Sequence, residues 1–155
     1  RATLALLKEG TTTRTAAQIA ETVDYYGATL RMPFALDTSG VVLHALNKHF
    51  EALLPLVQEV LTEPSFLQKE LDSFIKRNQQ RLRMDMSKTD VVAYRTVTEH
   101  LFGAAHPYGY NSEIATYSAL TRADLLHHFE ANYHTGNCII VISGKINRNI
   151  RKLLN

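Results

Sequence analysis

One cysteine, no apolar run long enough to cross a bilayer and almost no net charge: these scarcities bound the chain before any motif is read. Cys138 is the only cysteine in 155 residues, so no internal disulfide can form. Its setting, "NCIIVISG", predicts a small buried hydrophobe on a strand. The apolar runs fall far short of the ~20 residues a spanning helix needs, so no membrane insertion is expected. A formal net charge of +2 is too small to argue for nucleic acid or an anionic surface. The glycines are isolated, which excludes a phosphate-cradling loop, and no serine or cysteine nucleophile motif occurs. Repeats, low-complexity tracts and linkers are absent. The chain opens on Arg1 rather than Met, so the lack of a leader says nothing about compartment.

What is present is ordinary for a globular domain: 45% hydrophobic and 21% charged residues. A chain of this length buries roughly 70% of the surface its unfolded form exposes, enough for one domain with a core. "RATLALLKEG" predicts a short apolar helix that stops at Gly10. "TAAQIAETVDYYG" carries Ala16, Ile19, Ala20 and Val23 at helical spacing, with Thr15 as N-cap and Gly27 as stop. Two strands, "ATLRMPFAL" and "GVVLHAL", flank the turn "DTSG" and predict a hairpin from Ala28 to Leu46. Pro33 would remove a ladder donor and suggests an edge or a bulge.

Helices follow. "NKHFEALLPLVQEVLTEP" is amphipathic through Phe50, Leu53, Leu54, Val57, Val60 and Leu61, weakened at Pro55 and ended at Pro64. The next runs from Leu67 to Met84 with Leu67, Leu71, Phe74, Ile75 and Leu82 as its buried stripe, and another from Asp90 to Phe102. "LTRADLLHHFEANYH" is capped by Thr121, with Asp124 completing a capping box. Cys138 to Ser143 is expected as a buried strand, and "RNIRKLLN" as the start of a helix. The order predicts an α+β fold: a two-layer domain whose mainly antiparallel sheet is covered on one face by helices.

Seven histidines invite a metal reading, which the spacing does not favour. His127 and His128 are neighbours on a helix and point about 100° apart. His134 is remote from both. His44 and His49 fall on different elements, and Glu99-His100 has no second histidine four positions away. Solvated or locally bonded imidazole is the default for each, and His106 in "HPYG" reads as a turn element. Tyr25 and Tyr26 read as packing residues. Lys76, Arg77, Arg81, Arg83 and Lys88 make one helix basic, a solvated face without the interleaved aromatics of a nucleic-acid groove.

Four strings, in this order, resemble the pitrilysin/insulinase family of zinc metallopeptidases, the group with the inverted His-x-x-Glu-His motif. They are "LLKEGTTTRTAAQIAETVDYYGATL", "HFEALLPLVQEVLTEPSF", "HLFGAAHPYGY" and "SALTRADLLHHFEANYHTGNCIIVISGKI". No single string is specific; the shared order and spacing carry the resemblance across nearly the whole chain. It implies that residues 1–155 are most of one pitrilysin-like α+β domain that lacks its first strands.

The departure from the family is as informative as the match. The motif would end five residues before the glycine of the Gly-Thr turn, which puts Arg1 at the first His, Leu4 at the Glu and Ala5 at the second His. The third ligand, a Glu on the long helix, falls near Arg81, with Gln79, Gln80 and Leu82 around it. Catalytic zinc needs three N, O or S ligands and an open position, and the motif's Glu serves as base. Leucine takes no proton, alanine offers no ligand, and arginine brings positive charge. The resemblance therefore implies no catalytic residue and no metal here, with zinc held by a partner half.

In the family two bowl-shaped halves enclose a peptide chamber, often with zinc in one. The implied role is a non-catalytic domain that completes the chamber beside a zinc-bearing homologous subunit or domain and binds extended peptide, with Arg81 a candidate substrate contact. The family's substrate-holding Arg/Tyr pair belongs to a later segment than this chain covers. A structural or assembly core subunit with no peptidase role is the alternative; an inactive segment of an active peptidase is another. The resemblance implies the bacterial periplasm or cell envelope, with the mitochondrion as alternative. Because the family's metal helix follows strands that complete the sheet, an open sheet edge and self-association are also expected.

Overall fold

The computed structural model describes residues 1–145. The helix expected in "RNIRKLLN" lies outside the described residues. The first element, α1 (Ala2–Leu6), is short and almost wholly interior: Leu4, Leu6 and Leu7 are buried, each worth roughly 1.5–3 kcal/mol relative to exposure. The chain then turns at Gly10, whose φ of 141° a side chain would rarely adopt, and pairs back through isolated bridges between Gly10 and Thr15 and between Thr11 and Pro64.

Helix α2 (Ala16–Tyr25) begins where the sequence places it. Thr15 Oγ1 accepts from the Gln18 N–H at 3.3 Å, and Gln18 Oε1 accepts from the Thr15 N–H at 2.9 Å. Ile19 and Val23 turn inward, and Gly27 ends the helix at a φ of 59°. The hairpin is narrower than its sequence signal. Strands β1 (Thr29–Arg31) and β2 (Val42–His44) pair antiparallel with Leu30 opposite Leu43. Pro33 lies two residues past β1 and offers no N–H; its carbonyl still accepts from the Gly40 N–H at 3.0 Å, and the Phe34–Ser39 bridge continues the pairing toward the tip.

Helix α3 (Asn47–Thr62) runs without interruption through Pro55. The bond lost there would have ended on the Glu51 carbonyl, and Glu51 is exposed, so water can take its place. Its buried residues are Leu53, Leu56 and Val60; Leu54 and Val57, expected inside, flank that stripe half-buried. Helix α4 (Gln68–Asp85) buries Leu71 and Phe74. Leu67, expected in that stripe, is 51% exposed, because the preceding residue takes the interior place. Phe66 adopts a positive φ of 43° and is buried, its ring edge-on to Phe129 at 5.6 Å.

Helix α5 (Thr89–Phe102) buries none of its residues fully. A short helix, α6 (Ile114–Ser118), follows the "HPYGYN" loop, and α7 (Arg122–Asn132) starts at the Thr121–Asp124 capping box. The core lies where α1 packs on α4 and α7, with α2 and α3 closing it and α6 lying against α4.

Among the described residues the fold is mostly helical with one two-stranded antiparallel sheet, compatible with α+β. The third strand is corrected. Cys138 to Ser143 pairs with no described strand; Cys138 is exposed rather than buried, and Ile139, Ile140 and Val141 are 90%, 65% and 84% exposed. A strand becomes a ladder only when a neighbour offers carbonyls and amides, and no described segment lies alongside in register.

Candidate functional site

The turn after α1 is held by one carboxylate. The hydroxyls of Thr11 and Thr13 donate to Glu59 Oε1, and Arg14 Nε donates to Glu59 Oε2 at 3.0 Å. Glu59 projects from α3 with its side chain 15% exposed. These bonds, the Thr11 hydroxyl foremost and then Thr13, with Arg14 adding a bond and its charge, hold the Glu59 carboxyl below the usual glutamate range. Beside it, Thr12 Oγ1 donates to Glu63 Oε2 at 2.7 Å, and the Thr12 N–H donates to the Glu63 carbonyl at 3.0 Å. Sequence reasoning passed over this cluster. The signal was the run Thr11-Thr12-Thr13-Arg14, three hydroxyls and a cation in need of acceptors.

The four positions singled out in the sequence are placed as follows. Arg1 is exposed at the start of α1, its carbonyl accepting from the Ala5 N–H at 3.1 Å. Leu4 is 2% exposed and belongs to the core. Ala5 is half-buried and packs against the same core. Arg81 projects from α4, 69% exposed, with its Nε 3.6 Å from Asp85 Oδ2 one turn on. Asp85 also accepts from Lys88 Nζ at 2.7 Å, and that bond, with the Lys88 and Arg81 charges behind it, keeps its carboxyl below the ordinary range. The other basic residues of this stretch, Lys76, Arg77, Arg83 and Lys88, are exposed.

The "HPYG" loop is a built turn, as the sequence indicates. The His106 carbonyl accepts from the N–H groups of Gly109 at 2.9 Å and Tyr110 at 2.8 Å, and His106 Nδ1 accepts from the Tyr108 N–H at 3.2 Å. The His106 ring stacks on Phe102 at 5.5 Å. Gly109 is required here: a Cβ would sit 2.2 Å from the Gly103 carbonyl oxygen. The Tyr108 hydroxyl donates to the Asp37 carboxylate at 2.6 and 2.7 Å, tying the loop to the hairpin tip; this bond raises the phenol above its ordinary value.

Between α5, the loop and α6 lies an open cleft of about 440 Å³, lined by Met86, Val92, Arg95, Glu99, Tyr110 and Glu113 among others. Its polar groups are engaged in holding the loop. Arg95 Nη2 donates to the Ser112 carbonyl at 2.9 Å, and Asn111 Nδ2 donates to the Arg95 carbonyl at 3.0 Å and to Glu99 Oε2 at 3.3 Å. No nucleophile with an adjacent base lines it. Among the described residues no three His, Cys, Asp or Glu side chains come together as a metal-holding group. His128 meets Asn132 at 3.2 Å, and burial pushes its imidazole below the ordinary value. No described helix is long and apolar enough to cross a membrane.

No protein-family model matches the chain, and no curated protein matches it. A solved structure does: the crystal structure of a peptidase M16 inactive domain from Pseudomonas fluorescens, with a TM-score of 0.78 at 24% sequence identity. The match covers 84% of this chain and 32% of that one, so the chain spans about a third of the length of its structural relative. At this identity the likeness concerns the backbone: the chain has the fold of part of that inactive domain.

Proposed function

We propose that this chain is a non-catalytic domain of a zinc-dependent peptidase assembly of the pitrilysin/insulinase kind, completing a peptide-binding chamber whose zinc is carried by a homologous half. The observation that carries the reading is the use of α1. In the resemblance this helix would present the metal motif; here the position of the catalytic base is Leu4, 2% exposed in the core, followed by Ala5. A helix whose side chains are spent on packing has nothing to offer a cation or a water molecule. Arg81, at the position of the third ligand, would repel zinc. The residues present therefore do not fit the metal, and no hydrolytic step runs through this chain. The solved relative, itself described as a peptidase inactive domain, supports the same reading.

In this assembly Arg81 lines the chamber and meets acidic groups of extended peptide. Its pairing with Asp85 is loose and exposed, so a substrate carboxylate can compete for it.

The test is elemental analysis of the purified chain with peptide hydrolysis assayed alongside. The expected result is no stoichiometric zinc and no hydrolysis by the chain alone; zinc at one equivalent, lost together with activity on chelation, overturns the reading. Co-purification of the intact protein supplies the partner. A zinc-bearing homologue supports the chamber role, and a membrane complex without one overturns it. With that homologue in hand, Arg81→Leu is expected to weaken capture of acidic peptides, and unchanged capture removes Arg81 from the site.

A further inference from the structure

We draw no further inference here: the strongest candidate, the apolar surface patch that Tyr94, Val97 and Leu101 form along α5, carries nothing because the chain spans about a third of the length of its structural relative and nothing in the structure shows what covers that face.

Discussion

Arg14 and Glu59 are 45 positions apart in sequence and meet at 3.0 Å, joining the turn after α1 to the last turn of α3. The Thr11 and Thr13 hydroxyls share the same carboxylate, so a single side chain closes three contacts that no local element could supply.

Glu59→Ala is therefore expected to destabilise the chain by about 1–3 kcal/mol, from charge-assisted bonds lost at a mostly buried carboxylate. Urea denaturation checks it. The pH dependence has a definite sign. Because the folded carboxyl sits below its ordinary value of 4.5, its contribution is fully present above about pH 4.5 and disappears as pH falls through the lower folded value. The stability gap between the unmodified chain and Glu59→Gln should shrink on acidification below that point. A constant gap would show that the carboxylate charge is not what holds the turn.

Leu4→Ala is expected to cost about 2–5 kcal/mol, the range for deleting a fully buried leucine side chain. Leu4→Glu should be worse, because it adds an unpaired carboxylate to the same interior. Thermal unfolding measures both. Near-neutral results would place α1 at a surface and reopen it as a site.

Gly109→Ala should lower stability by about 1–3 kcal/mol through direct collision with the Gly103 carbonyl. Exchange at the Gly109 and Tyr110 amides should quicken in the same variant, since both bonds to the His106 carbonyl depend on that close approach. A variant as stable as the unmodified chain would mean the loop adopts another path.

Tyr108 should ionise above its ordinary value of 10.0, because its hydroxyl donates to the Asp37 carboxylate. The sign is that of a group raised on folding: the bond contributes fully below about pH 10 and is lost as pH rises through the folded value. Asp37→Asn should bring the phenol back toward normal in an NMR titration of the labelled ring. If the two titrations coincide, the hairpin tip and the "HPYG" loop are not tied in solution.

The helices were legible where local chemistry marks them. Thr15 and Thr121 announce their helices through hydroxyls that cap nearby amides, and Gly27 ends a helix because it accepts positive φ. α6 was missed: five residues in a polar loop give no hydrophobic period. Phe66 was missed too. Nothing local marks a phenylalanine for positive φ; it is set there by Arg122, which donates to the Phe66 carbonyl at 2.9 Å and the Ser65 carbonyl at 3.2 Å, and by the Phe129 ring. On the site, the family resemblance leads to an expectation that Arg1, Leu4, Ala5 and Arg81 stand at the metal-motif positions. It could not tell that Leu4 would be interior or that Arg81 would meet Asp85.

By itself, then, the sequence determined the order of the hairpin and the longer helices, the caps at Thr15 and Thr121 and the scarcity of polar side chains in α1, because each depends on residues within a turn or two. Tertiary structure alone decided the rest. Glu59 became the anchor of a distant turn, Phe66 displaced Leu67 from the core, and Cys138–Ser143 was left without a described partner strand. The physical reason is common to all three. A carboxylate, a ring or a strand edge acquires its role from the group opposite it, and what stands opposite is settled only when segments far apart in the chain are packed together.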